Sequence, residues 1–195
     1  MWRYDHFAHL CECVIRLRSG QIVKFFQKVA AVAVSAVFVA LMTPGASHAG
    51  SWTDGSFKLV NRGSGKCLEI RDSSTENGAP AQQWDCNGQA GIYWSVYQQD
   101  RGRFWIVNDN SGKCLEINNS SKSYGARAQQ WKCGDQPGAF WEVLHLDSQY
   151  GALFVNSNSG QLLEIENSSR INGAPAQQWG AGSSATGQNW YIYGA

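Results

Sequence analysis

The sequence predicts an all-β chain in which three copies of one four-stranded unit close around a pseudo-three-fold axis. Four observations carry that expectation. The run S-G-K-C-L-E-I at Ser64 to Ile70 recurs at Ser111 to Ile117, and again as S-G-Q-L-L-E-I at Ser159 to Ile165. Each copy leads to a second block: G-A-P-A-Q-Q-W at Gly78 to Trp84, G-A-R-A-Q-Q-W at Gly125 to Trp131, and G-A-P-A-Q-Q-W at Gly173 to Trp179. The step between copies is 47 and then 48 residues, a period that marks a repeat architecture. Within each copy, apolar and polar residues alternate in short segments broken by Gly, Asn, Ser and Pro, which is a strand pattern with no sustained helical period.

Four strands per unit account for this pattern. The first is expected at Lys58 to Asn61, with counterparts at Trp105 to Asn108 and Leu153 to Asn156. The second holds C-L-E-I or its relative, and the third holds A-Q-Q-W. The fourth is expected at Tyr93 to Gln98, Phe140 to Leu144 and Asn189 to Tyr193. Units then span about 57–100, 103–149 and 153–195. Twelve strands in three equal sets point to a closed or nearly closed antiparallel barrel, since closure removes the strand edges that would otherwise aggregate. The 146 residues from Gly50 to Ala195 make one domain of ordinary size.

Residues 1–49 read differently. Val29 to Met42 is an uninterrupted run of small and apolar residues, preceded by Lys24 and Lys28 and followed by Thr43, Pro44, Gly45 and then Ser47-His48-Ala49. A basic flank, a short apolar stretch and small residues before a break make a secretory signal peptide, with cleavage expected after Ala49. The run is short for a membrane span, which needs about 20 apolar residues; a retained anchor is the alternative. The polar residues 1–22, with Cys11 and Cys13, fit a signal peptide poorly and are read as a spurious upstream extension, the true start lying downstream, at Val23 if its codon is GTG. The expected location is outside a bacterial cell.

Charge and cysteine use agree with export. The chain has 16 basic and 15 acidic residues, of which residues 1–49 hold five and two, leaving 11 and 13 from Gly50 onward. A near-neutral domain without a basic run lacks the footprint of a nucleic-acid binder. Four cysteines remain, Cys67 with Cys86 and Cys114 with Cys133, each pair 19 apart. In an oxidising compartment such a set reads as disulfides. The third unit has Leu162 and Ala181 at the equivalent positions, so both partners are lost together, as expected of bonds within a unit. A zinc site is the weak rival reading, because no C-x-x-C spacing occurs and His145 is the one histidine beyond residue 49. No metal or cofactor is implied.

Strand parity places the repeated side chains. Alternation puts Cys67 and Glu69 on one face and Leu68 and Ile70 on the other. If Cys67 faces Cys86 directly across an antiparallel pair, then Glu69 faces Trp84 and Arg71 faces Gln82, and likewise Glu116 faces Trp131 and Glu164 faces Trp179. Leu68 and Ile70 then go to the core, and acid and indole to the outside. An indole offers a flat apolar platform to the C–H face of a pyranose, and a carboxylate takes short hydrogen bonds from adjacent hydroxyls. Gln83, Gln130 and Gln178 point inward in this scheme and must find hydrogen-bond partners there.

At these residues the chain resembles the ricin-type β-trefoil lectins, including the trefoil modules attached to bacterial xylanases, over essentially Phe57 to Ala195. The resemblance implies a β-trefoil fold and sugar pockets at Glu69, Glu116 and Glu164, with stacking rings at Trp84, Trp131 and Trp179 and a glutamine at Gln82, Gln129 and Gln177. It assigns Trp94, Trp141 and Trp190 to the core. Two departures stand out. The acid of the family is usually aspartate, and here all three are glutamate, one methylene longer. Its sugar-binding asparagine falls on Gly91, Gly138 and Gly187, and the glutamine of its Q-x-W motif survives only as Gln188, with Ile92 and Ala139 in the other units.

The expected function is that of a secreted carbohydrate-binding protein, a monomer with up to three similar weak sites that act together on polysaccharide or cell-surface glycan. The structural alternatives are a carboxylate that only accepts bonds from loop amides and an indole packed over the open end of the barrel. Ser73-Ser74, Ser120-Ser121 and Ser168-Ser169, with Asn77, Asn119 and Asn172, read as turn residues, and Tyr93 and Phe140 as packing residues, with extra stacking on a sugar as the alternative. An enzyme is not expected. A glycosidase needs two carboxylates about 5 to 10 Å apart, whereas each unit repeats one. The rival function is a secreted protein-binding trefoil, a protease inhibitor or interaction factor that has lost sugar binding; a toxin or adhesin component comes third.

Overall fold

The computed structural model describes residues 55–147, 149–182 and 186–195. The signal peptide and upstream extension expected in residues 1–49 lie outside them. Strand β1 runs Phe57–Asn61, β2 Cys67–Ile70, β3 Ala81–Trp84 and β4 Tyr93–Gln98. The second unit supplies β5 Phe104–Asn108, β6 Lys113–Ile117, β7 Ala128–Trp131 and β8 Trp141–Asp147. The third supplies β9 Gly151–Asn156, β10 Leu162–Ile165, β11 Ala176–Trp179 and β12 Trp190–Gly194. The expected strands are therefore present, with shifts of one to three residues at their ends.

Six strands form a closed antiparallel barrel in the order β1, β4, β5, β8, β9, β12 and back to β1. The other six form three hairpins, β2–β3, β6–β7 and β10–β11, that cap it. This is a β-trefoil. Leu68, Ile70, Leu115, Ile117, Leu163 and Ile165 from the hairpins meet Leu59, Ile106 and Phe154 from the barrel in one core, as strand alternation requires.

Trp94, Trp141 and Trp190 are fully buried at the heart of it. Their indole N–H groups donate to the carbonyls of Leu68, Leu115 and Leu163 at 3.1, 2.9 and 3.2 Å, so a large apolar ring is buried without an orphaned donor. Opposite them stand Asn108, Asn156 and Asn61. These buried amides donate to the carbonyls of Gly91, Gly138 and Gly187 at 2.9, 2.8 and 2.8 Å, tying β5, β9 and β1 each to a turn of an adjacent unit.

The inward glutamines find their partners on neighbouring units. Gln83 donates both amide hydrogens to the carbonyls of Ser169 and Ile171 at 2.8 and 2.9 Å and accepts from the Ser64 hydroxyl. Gln130 does the same to Ser74, Glu76 and Ser111, and Gln178 to Ser121, Ser123 and Ser159. Backbone bonds follow the same direction: Gly78 N–H to Gln130 O, Gly125 N–H to Gln178 O and Gly173 N–H to Gln83 O, all at 2.9 Å. Each hairpin thus grips the loop of another unit, and the three contacts run in a ring.

Both disulfides form as expected, Cys67 to Cys86 and Cys114 to Cys133. The strand register, however, differs from the expectation by two residues. Cys67 faces Trp84, Leu68 faces Gln83, Glu69 faces Gln82 and Ile70 faces Ala81, with the same pairing in the other two hairpins. The cysteine partner lies diagonally, past the end of β3, where the chain has already left the ladder. A shift of two leaves the faces unchanged, because side chains alternate with a period of two, so the core assignment stands while the acid gains glutamine instead of tryptophan as its direct neighbour.

Replacing Gln130 with Leu should lower stability by about 3 kcal/mol, because two loop carbonyls and a hydroxyl lose their partner at a buried position. Urea unfolding measures this. A loss under about 1 kcal/mol would show that the inter-unit bonds do not hold the cap.

Candidate functional site

Each hairpin presents Glu, Gln and Trp from its outward face at a seam with a neighbouring unit. Glu69, Glu116 and Glu164 are 4%, 5% and 6% exposed, whereas Trp84, Trp131 and Trp179 are 37%, 42% and 45% exposed. The expectation of acid and indole standing side by side in solvent is thus corrected for the acid. It sits at the floor of the site, and the ring forms an open wall two residues further along the strand.

The acid is held by the glutamine that faces it. The amide nitrogens of Gln82, Gln129 and Gln177 donate to Glu69, Glu116 and Glu164 at 3.0, 2.9 and 3.1 Å. What fixes the orientation of each amide is a donor to its oxygen: Arg71 Nε at 3.0 Å, Asn118 Nδ2 at 3.0 Å and, in the third unit, a guanidinium nitrogen of Arg127 at 3.1 Å. The third unit has Glu166 where the others have Arg71 and Asn118, and a carboxylate cannot donate. Arg127 arrives instead from the second unit and also pairs with Glu166 at 2.8 Å. With one N–H of the amide committed to the acid, each carboxylate keeps lone pairs for further donors.

Glycines let the seams close. Gly173, Gly78 and Gly125, all with positive φ, bring the neighbouring loop against Trp84, Trp131 and Trp179, where an added Cβ would lie 3.8, 3.6 and 3.5 Å from the indole edge. Each site is therefore shared by two units. The loop residue that borders the ring differs. At the first seam Asn172 donates to Asp85 at 2.8 Å, and Asp85 also pairs with Lys66. The hydrogen bond from the Lys66 ammonium, helped by the Asn172 amide, holds the Asp85 carboxyl below its ordinary range. At the second seam Asn77 accepts the Lys132 N–H at 3.0 Å. At the third the equivalent residue is Tyr124, whose ring lies 5.4 Å from that of Trp179.

The third seam opens into a recess of about 650 Å³ lined by Tyr124, Glu164, Gln177, Trp179 and Gln188, among others. Gln188 donates to the second oxygen of Glu164 at 2.7 Å. Ile92 and Ala139 occupy this place in the other units, and they are buried.

Gly91, Gly138 and Gly187, which stand where the family has asparagine, have no space for a side chain. A Cβ would lie 2.7, 2.7 and 2.8 Å from the carbonyl oxygens of Ile70, Ile117 and Ile165. Their N–H groups donate to the hydroxyls of Ser73, Ser120 and Ser168 at 2.9, 2.9 and 3.1 Å, and those serines lie in turns with positive φ, consistent with their turn role. Phe140 is buried and packs on Trp105 and Arg103, which removes it as a stacker; Tyr93 is half-buried. Tyr124 and Arg127 were not singled out by sequence reasoning. The signal was present, since each breaks a repeat, Tyr against Asn77 and Asn172 and Arg against Pro80 and Pro175.

Among the described residues no cluster of metal-ligating side chains occurs, and no helix is long and apolar enough to cross a membrane.

Twelve strands about a pseudo-three-fold axis, with an acid, an amide and an indole repeated at its seams, define a β-trefoil of lectin type. The chain belongs to the ricin-type β-trefoil lectin domain-like family, whose model matches residues 46–131 and 93–179. Among solved structures it is similar to the designed three-fold symmetric protein ThreeFoil, at 30% identity and TM-score 0.69, over 73% of this chain and 100% of that one. It is also similar to an exo-β-1,3-galactanase from Clostridium thermocellum, at 27% identity and TM-score 0.69, over 73% of this chain but 30% of that one. The ricin B-like lectin of Macrolepiota procera in complex with lactose shares the fold at 13% identity and TM-score 0.61, over 72% and 95% of the two chains. No curated protein matches the chain.

Substituting Gly91 with Asn should cost about 2 kcal/mol, since the new Cβ meets backbone that cannot yield cheaply, and should not improve sugar binding. Urea unfolding together with a sugar titration checks both halves; a stable variant with tighter binding would contradict the packing.

Proposed function

We propose that the protein is an exported carbohydrate-binding protein with a glycan site at each of its three seams, made by Glu69, Gln82 and Trp84, by Glu116, Gln129 and Trp131, and by Glu164, Gln177 and Trp179. The observation that carries this reading is the pairing, three times over, of a half-exposed indole with a carboxylate whose nearest polar neighbour is an oriented amide. The ring gives the apolar face of a pyranose a surface to cover. Carboxylate and amide, close together, accept from and donate to neighbouring hydroxyls. Nothing about this arrangement calls for catalysis: one repeated acid per site is too few for glycoside hydrolysis, and Glu166, the extra acid at the third seam, is paired with Arg127.

Family membership supports carbohydrate binding, and the two disulfides suit an oxidising compartment. The galactanase and the lactose complex among the similar structures make galactosides the first panel to try. Three sites on one rigid body gain by avidity on a polymer even where each alone is weak. The burial of the acids favours this reading over a protein-binding surface, because a floor group reaches a small hydroxyl more readily than a partner's backbone.

Binding to a glycan array and to insoluble polysaccharide is expected for the fragment from Gly50 to Ala195. Replacing Trp84, Trp131 and Trp179 together with Ala should abolish it, and each single replacement should weaken retention on polymer by about tenfold or more. Undiminished binding by the triple variant would place the glycan elsewhere on the surface.

A further inference from the structure

The third seam differs from the other two in several positions at once. Where Asn77 and Asn172 spend their side chains on hydrogen bonds to the facing hairpin, Tyr124 forms none with the described residues and is 66% exposed. On the facing strand the first two units follow the tryptophan with Asp85-Cys86 and Lys132-Cys133, both tied back by a disulfide. The third follows it with Gly180-Ala181-Gly182. A Cβ on Gly180 would lie 3.2 Å from Tyr124 Cε1, so the tyrosine occupies space that a side chain at this position would contest. Removal of that side chain, loss of the disulfide and arrival of an aromatic ring all fall on the same rim, and the recess opens between them.

The two rings, tilted by 43° and in contact, cannot sandwich a single pyranose between them. They make a floor of two panels that meet at an angle. A sugar on Trp179 lies over Glu164, whose two oxygens are each held by an amide, from Gln177 and Gln188. A second ring joined to it through a glycosidic oxygen turns away from the plane of the first and meets the other panel. The recess volume of about 650 Å³ falls in the range of small-ligand sites, about 300 to 1,000 Å³.

We propose that this recess takes two adjacent sugar units, the first on Trp179 and the second on Tyr124, so that the third site recognises a disaccharide or the end of a longer chain while the first two take single rings. The inference rests on the carbohydrate-binding reading above. Tyr124, supplied by the second unit, is then a specificity-determining residue of the third unit's site.

The test isolates the third site with the Trp84→Ala, Trp131→Ala double variant and titrates it with galactose, lactose and a β-1,3-linked galactobiose, extending to the best mono- and disaccharide pair from a hexose array. A preference for the disaccharide is expected. Tyr124→Ala and Tyr124→Asn, the second restoring the residue of the other seams, should each reduce the ratio of disaccharide to monosaccharide affinity about tenfold. Both variants alter an exposed ring and are checked for folding by near-ultraviolet circular dichroism. An unchanged ratio with glycan binding intact overturns the second subsite alone. Absence of any glycan binding by the unmodified protein overturns the underlying reading and the subsite together.

Discussion

Three buried glutamines hold this protein together. Burying an amide costs several kcal/mol unless its donors and acceptor are paired, and Gln83, Gln130 and Gln178 each pair with two loop carbonyls and a serine hydroxyl. The carbonyls belong to another unit. The core therefore supplies cohesion without direction, through Trp94, Trp141 and Trp190 and the aliphatic residues around them, while the glutamines specify which loop lies against which hairpin. Once Gln83 is pinned inward, its neighbours Gln82 and Trp84 must face outward. The loop that Gln83 holds is the one whose Gly173 packs against Trp84. The candidate sites are a consequence of the clamp.

That dependence explains how the three sites vary. Residues inside one hairpin, the Glu, Gln and Trp, are identical in all three units. The border residues differ: Asn172, Asn77 and Tyr124 reach the rim from across a seam, and of the donors to the orienting amide Arg71 and Asn118 belong to the same unit while Arg127 comes from another. Repetition keeps the recognition set constant while the borders diverge, because a border residue answers to its partner on the next unit and not to its counterparts in the repeat.

Much of this was legible in the sequence. The repeat step gave the strands and the three-fold arrangement, the paired loss of cysteines in the third unit gave the disulfides, and alternation sorted Leu68 and Ile70 from Cys67 and Glu69. Register was not legible from the cysteines, because a disulfide can join diagonal positions as well as opposed ones, and Cys86 lies beyond the last ladder residue, Trp84. The depth of the acids escaped for a different reason. Glu69 lies behind a facing glutamine against which a loop of the third unit packs, and the packing of one unit on another is not written in the pattern within either. The glycines at 91, 138 and 187 looked like a lost binding residue. The structure gives them a packing reason instead, a close approach to the carbonyls of Ile70, Ile117 and Ile165.

The ring of inter-unit contacts makes each unit depend on the other two. A lone unit of 47 residues would leave its inward amide facing water and its own loop carbonyls ungripped, since every acceptor it needs resides on a different copy. Three unlinked copies could satisfy one another as fully as three joined ones, because none of the glutamine bonds depends on the peptide links between units. The chain connections between units therefore fix the order of the copies, while the amide clamps fix how they pack.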